Sequence, residues 1–134
     1  MKSKIKYFII ITSFSTVSFA QSITDNTLLA KQILEKKPAM VSKAIQITPP
    51  AKWATCTSVY LKAVYAETSG TAFDKNSSQA FATLGAAMIK VRDNLESKGM
   101  SKSQLDAMLK SANSVTVGAN TINDCKNLAL SLWN

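Results

Sequence analysis

Apolar residues recur every three or four positions along most of this chain, and that spacing constrains its fold more than any other feature of the sequence. The clearest series lies in the second half and consists of Phe81, Leu84, Met88, Val91 and Leu95. Residues three and four apart share one face of an α-helix, whereas a β-strand requires strict alternation, and we find no convincing alternating stretch. The pattern predicts an all-α protein in which this helix carries a one-sided apolar stripe.

Prolines divide the first half of the sequence into three predicted helices. The first runs from about residue 26 to residue 37 with Leu29 and Ile33 on one face, and Pro38 ends it. A second helix follows up to a Thr-Pro-Pro sequence, and a third runs from there to about residue 68. The third is apolar around most of its circumference, so we expect it at the centre of the molecule.

Capping residues mark the helices of the second half. Asn76 with Gln79, and Ser101 with Gln104, fit the capping box, in which a polar residue and the residue three positions later cap each other's backbone. The three-four rhythm continues to the end of the chain, but the Val-Thr-Val sequence before Gly118 forms helices poorly, which allows a break there. The sequence therefore predicts a compact bundle of five or six short helices.

The two cysteines, Cys56 and Cys125, are predicted to form a structural disulfide that staples the third helix to the last one. An even pair in an oxidising compartment favours a disulfide, and this one closes a segment of 125 − 56 = 69 positions. Such a crosslink stabilises a fold by roughly 4 kcal/mol in the chain-entropy model. The alternatives are a redox-active thiol and a zinc site, but the chain has no CxxC motif and no histidine. Trp53 is expected to pack around the disulfide.

Residues 1–20 have the features of a cleaved secretory signal. Three lysines within the first six residues are followed by an apolar run over residues 7–17 and by small residues before a cleavage site near Ala20. A membrane anchor is the alternative, but a span takes about 20 apolar residues, and polar residues interrupt this shorter run. We expect a periplasmic or secreted protein without stable membrane insertion, with a single helical domain over residues 21–134.

This domain is basic, and its charge is unevenly distributed. Without the three lysines of the signal it carries 16 − 3 = 13 basic and 8 acidic side chains, a net charge of 13 − 8 = +5. Residues 30–52 contribute five lysines against the single acid Glu35. Arg92 is the only arginine, and arginine is the side chain best suited to phosphate and guanine contacts, so no nucleic-acid partner is expected. The basic segment is a candidate docking face for an anionic partner such as an acidic protein.

The residues predicted to contact that partner come from three places. Four are lysines of the basic segment, and two lie in the long polar connection over residues 69–78, because exposed loops on rigid scaffolds commonly carry recognition. The last is the tryptophan next to the C-terminus, since tryptophan is enriched at binding hot spots. They are Lys31, Lys36, Lys37, Lys43, Asp74, Lys75 and Trp133. The alternative is that the lysines only solvate the surface and that the tryptophan pins the last helix.

The sequence contains no histidine, which excludes many catalytic sites. Ser-His-Asp and Cys-His nucleophilic sites require it, as do the usual histidine-rich metal centres. The four glycines have neither a GxGxxG nor a GxxxxGK spacing, so the common phosphate-binding loops are excluded too. We predict no metal, no cofactor and no enzymatic activity, with carboxylate chemistry as the remaining enzymatic alternative.

One carboxylate lies in a segment that resembles a known catalytic one. Glu67-Thr68-Ser69-Gly70, followed by Phe73, resembles the catalytic-glutamate segment of lysozyme-like lytic transglycosylases. The resemblance implies that Glu67 is a general acid, and a carboxyl group in apolar surroundings has a raised pKa and can donate a proton at neutral pH. The resemblance covers about seven residues, and the Gly-Leu-Met-Gln segment that follows in that family is absent.

These features favour a non-enzymatic periplasmic protein-binding module. Its outline of a signal, about a hundred residues and one disulfide resembles that of periplasmic immunity proteins. The most concrete form is therefore an immunity or inhibitor protein that blocks an envelope-targeted toxin. Two alternatives stay open: a small peptidoglycan-cleaving enzyme that uses Glu67, and a structural envelope component that forms a homo-oligomer.

Overall fold

The computed structural model describes residues 23–68 and 77–133, and for residues 67 and 68 it describes the backbone alone. Six α-helices make up most of these ranges. They are α1 (Ile23–Glu35), α2 (Pro38–Ile47), α3 (Pro50–Thr68), α4 (Ser78–Ser97), α5 (Lys102–Asn113) and α6 (Ala119–Ser131). No strand occurs within these ranges, and the compact bundle confirms the predicted fold class. None of the six is both long enough and apolar enough to cross a membrane. The predicted signal lies outside the described residues.

The helix ends show which local signals are decisive. Pro38 begins α2, in the first turn, where its missing N–H removes no helical hydrogen bond. Ser101 and Gln104 form the predicted capping box, with 3.1 Å between the Gln104 N and the Ser101 Oγ. The other predicted box depends on Asn76, which lies outside the described residues. The structure gives Ser77 as the N-cap residue of α4, and its side chain makes no capping hydrogen bond.

The most deeply buried helix of the bundle is α4, although α3, which the hydropathy predicts at the centre, also packs against four helices: α1, α4, α5 and α6. α4 packs against α1, α2, α3 and α6, and every residue from 80 to 88 is buried. Its predicted apolar stripe is buried as expected, but alanines, Thr83 and Gly85 are buried as well. These small side chains let neighbouring helices approach from several sides. On α3, by contrast, Tyr65 is 73% exposed.

The disulfide joins α3 to α6 as predicted. Cys56 and Cys125 are bonded, and both are buried in the hydrophobic core. Trp53, one turn before Cys56, is buried too, and its indole Nε1 donates a hydrogen bond to the Met88 carbonyl oxygen at 3.1 Å. The Arg92 guanidinium lies 5.7 Å from the centroid of the Trp53 ring. The core around the disulfide therefore links α3, α4 and α6.

The break that the sequence allows near Gly118 is present. α5 ends at Asn113, and α6 begins only after Gly118, which is its N-cap residue. The Lys62 ammonium on α3 donates a hydrogen bond to the Val115 carbonyl oxygen at 2.7 Å, so α3 holds this connection. The break allows α6 to change direction and pack against α4.

Candidate binding groove

Helix α1 buries a different face from the one the sequence predicts. Its buried residues are Ile23, Thr27, Ala30 and Leu34. Leu29 and Ile33, predicted to share the apolar face, are 48% and 40% exposed. A hydropathy pattern misses the inward face because it includes a threonine. The Thr27 hydroxyl is satisfied there, since it donates to the Ile23 carbonyl oxygen at 2.7 Å and shares a hydrogen bond with the Tyr60 hydroxyl at 2.9 Å.

The outward apolar residues of α1 form one wall of an open groove of about 370 Å³, which we call the binding groove. Four of its lining residues lie on α1 and three on α4, and the last is the tryptophan that follows α6. They are Asn26, Leu29, Ala30, Ile33, Gln79, Ala82, Thr83 and Trp133. Apolar surface from three separate segments therefore meets at one place that is open to solvent.

Trp133 forms the opposite wall of the binding groove and is held in position. Its indole Nε1 donates a hydrogen bond to the Thr83 Oγ1 at 3.3 Å, and the Thr83 hydroxyl in turn donates to the Gln79 carbonyl oxygen at 2.9 Å. The side chain is nevertheless 41% exposed. Its polar edge is bonded to α4 while a large part of its surface faces solvent, which is the condition expected of an interface anchor.

The predicted lysines do not all have the same surroundings. Lys36 and Lys37 are exposed in the turn between α1 and α2, and Lys31 is half-buried on α1. The ion pairs among the described side chains join Lys90 to Glu35, and Arg92 to two acids, so none of them involves these three lysines. Their ammonium groups are therefore available to an anionic partner.

Lys43 has a structural contact instead. Its ammonium Nζ lies 2.6 Å from the Ser131 carbonyl oxygen, at the C-terminal end of α6. The last carbonyl groups of a helix lack intrahelical donors and carry partial negative charge, so a cation there is stabilising. Lys43 thus ties α2 to the end of α6, two residues before Trp133, and supports one wall of the binding groove.

The other predicted site residues lie outside what the structure describes. These are Asp74 and Lys75 in the polar connection, together with the side chain of Glu67, whose backbone belongs to the end of α3. Among the side chains that are described, no group of three or more acids and cysteines could hold a metal ion. The absence of a cofactor and of a catalytic site stays a prediction.

Sequence reasoning identifies Trp133 but misses the rest of the binding groove. Ala82 and Thr83 carry no hydropathy signal, and the exposed Leu29 and Ile33 are read as the buried face of an amphipathic helix. No protein-family model, curated protein or solved structure matches the chain. The shape and chemistry of the binding groove are therefore the features that indicate a function.

Proposed function

We propose that this chain is a non-enzymatic, exported protein-binding module that contacts its partner through the binding groove. The observation that carries the proposal is the position of Trp133, fixed to Thr83 and yet 41% exposed, opposite Leu29 and Ile33. Exposed apolar side chains grouped around a concavity are typical of interaction sites. Tryptophan in particular contributes strongly to protein–protein affinity.

The scaffold beneath the binding groove favours rigid recognition. Both walls rest on α4, because α1 and α6 each pack against that helix. The buried disulfide fixes α6 to α3, and Lys43 fixes the end of α6 to α2. A surface held in its binding conformation loses little conformational entropy on association, which favours affinity.

The concrete form that we propose is an immunity or inhibitor protein that blocks an envelope-targeted toxin. The supporting features are the predicted secretory signal of residues 1–20, the disulfide, which suits an oxidising compartment, and the basic charge of the domain. The export step has its own test, since the protein recovered from the periplasm should begin at Gln21 in N-terminal sequencing.

A capture experiment tests the function. The exported, oxidised chain is immobilised, and envelope and secreted extracts of the source cells are passed over it at about 0.15 M salt, where long-range charge attraction is largely screened. We expect one protein to be retained and, once purified, to bind in a one-to-one ratio by calorimetry. Retention of no protein from these extracts would contradict the proposed function.

A matched pair of variants then locates the contact. Ile33→Ser removes an apolar side chain of α1 from the binding groove. Ile89→Ser removes a side chain of similar exposure from α4, outside the residues that line the groove. We expect only the first to release the retained protein. Equal retention by both variants would mean that the partner binds another surface.

A further inference from the structure

One row of residues along α1 leads from the lining of the binding groove to a lysine. Asn26, Leu29, Ile33 and Lys36 follow one another at spacings of three, four and three, so they form one row along α1. The row continues past the last residue of α1, because the Lys36 N–H donates to the Ile33 carbonyl oxygen at 3.1 Å and extends the helical turn. Lys36 therefore lies about 5 Å beyond Ile33 along the helix axis, and Lys37 follows it.

The contacts between α1 and α4 show how the two helices run beside the binding groove. Asn26 and Gln79 line the groove together, while Glu35 and Lys90 form an ion pair with 3.2 Å between the Glu35 Oε2 and the Lys90 Nζ. The two helices therefore run in the same direction. Two amides line one end, where the Lys126 ammonium on α6 also lies 3.5 Å from the Ser77 Oγ. At the other end α1 leads to the exposed Lys36 and Lys37, and Glu35 beside them is already paired with Lys90.

We propose, as a refinement that rests on the proposed function, that the binding groove takes an acidic segment of a partner protein. One or two large apolar side chains of that segment fill the space between Leu29, Ile33 and Trp133. Carboxylates that follow them meet Lys36 and Lys37. The apolar anchor supplies affinity, and the charge complementarity excludes basic sequences.

The same features argue against two other occupants. Sites for small ligands bury about 70–90% of the ligand surface, whereas the walls of this groove stay two-fifths to one-half exposed at Leu29, Ile33 and Trp133. A second copy of this chain would bring the same unpaired lysines to the interface, and like charges placed together across an interface are unfavourable. An acidic protein segment can lie in an open groove, and it brings carboxylates rather than further lysines to Lys36 and Lys37.

The two tryptophans give a built-in test. Trp133 lines the binding groove, whereas Trp53 is buried and bonded to the Met88 carbonyl oxygen, so it serves as an internal control. The probes are three synthetic peptides of about 12 residues, or about three helical turns. The first carries two leucines followed by glutamates, the second has lysines in place of the glutamates, and the third has serines in place of the leucines. Each is titrated into the exported, ¹⁵N-labelled chain while the indole N–H signals are recorded by NMR.

We expect the acidic apolar peptide to shift the Trp133 indole signal and to leave that of Trp53 unchanged. Its affinity should exceed that of the basic peptide by about tenfold, because several exposed charge pairs, each of which contributes little alone, are reversed together. The double variant Lys36→Glu, Lys37→Glu should reverse the preference. The control Lys98→Glu, Lys102→Glu, which changes the net charge equally at the exposed α4–α5 turn, should not.

Three results would overturn this inference. One is an equal response of Trp133 to the acidic and the basic peptide, and another is a preference that survives reversal of Lys36 and Lys37. The third is a dimer in sedimentation experiments that Ile33→Ser dissociates, which would assign the groove to a second copy. The proposed function fails separately. If a captured protein still binds the Lys36→Glu, Lys37→Glu variant, the acidic-segment inference is wrong but the proposed binding function stands. If the capture column retains no protein, the proposed binding function itself is wrong.

Discussion

Gly85 shows how a single residue sets the spacing between two helices. A Cβ atom built on it would lie less than 3.0 Å from three atoms of the Tyr60 ring. That ring cannot easily move away, because its hydroxyl shares the hydrogen bond with Thr27 on α1. The close approach of α3 and α4 therefore depends on the missing side chain.

We predict that Gly85→Ala destabilises the protein even though alanine favours helices by about 1 kcal/mol over glycine. Overpacking of a tight core costs about 1–3 kcal/mol before that gain, so the free energy of unfolding should fall by about 1 kcal/mol in denaturant titration. In a Tyr60→Ala background, where the obstructing ring is gone, the same change should be neutral or stabilising. An equal effect in both backgrounds would contradict the steric explanation.

Lys43 separates a structural role from a binding role. Lys43→Met keeps the aliphatic stem and removes the cation at the end of α6, so the free energy of unfolding should fall by about 1 kcal/mol. Lys36→Met removes a lysine whose ammonium makes no ion pair with a described side chain, and we expect the free energy of unfolding to change by no more than about 0.5 kcal/mol. Thermal or denaturant unfolding of the two variants measures the difference. Equal stabilities would mean that the contact with the Ser131 carbonyl group contributes nothing.

Glu67 distinguishes the binding module from the enzymatic alternative. We predict that the purified exported chain does not clear a cell-wall substrate and that Glu67→Gln has no effect in a turbidity assay. A hen-type lysozyme in the same assay is the positive control. Clearing by the natural chain that Glu67→Gln abolishes at an unchanged melting temperature would establish the peptidoglycan-cleaving function instead.

At the scale of the helices, the sequence predicts where a helix forms better than which of its faces points inward. The spacing of apolar residues along α4 and the capping box of α5 are local properties, and both are confirmed. The centre of the bundle and the inward face of α1 are not local, because they depend on small or polar residues that hydropathy ranks low. Thr83 and Gly85 are small enough to let neighbouring helices approach α4 closely. Thr27 faces inward because its hydroxyl bonds the Ile23 carbonyl oxygen and the Tyr60 hydroxyl.

The orientation of α1 can be tested by paired substitutions. Leu29→Ser and Ile33→Ser alter exposed side chains, so each should change the free energy of unfolding by about 0.5 kcal/mol or less. Leu34→Ala, on the buried face one position from Ile33, should cost about 2–5 kcal/mol because it leaves a cavity. Denaturant titrations compare the three variants. A large loss for Ile33→Ser and a small one for Leu34→Ala would restore the orientation that the sequence predicts.

For the molecule as a whole, the pair of cysteines correctly predicts one long-range contact, whereas the binding groove is not predicted. Cys56 and Cys125 join α3 to α6, and that link can be inferred from the sequence alone. The binding groove combines α1, α4 and Trp133, which are far apart in the sequence, and no spacing rule joins them. Only the packed structure shows that Leu29 and Ile33 of α1 line the same groove as Trp133.

The disulfide should contribute a large part of the stability of the whole fold. The double variant Cys56→Ala, Cys125→Ala loses a crosslink over 69 positions, and the free energy of unfolding should fall by roughly 4 kcal/mol in the chain-entropy model. Both sulfurs are buried, so mild reductant without denaturant should leave the natural chain oxidised. A double variant as stable as the natural chain would show that the helical core alone determines the stability.

The most direct measurement is the affinity of the purified, captured partner for three forms of this chain: the natural one, the double variant Leu29→Ser, Ile33→Ser, and the control Ile89→Ser. If the partner binds in the binding groove, the double variant should bind at least about tenfold more weakly, a loss of about 1.4 kcal/mol. The control should bind as the natural chain does, and all three should unfold at similar denaturant concentrations. Unchanged affinity of the double variant would contradict the assignment of the binding groove as the contact surface.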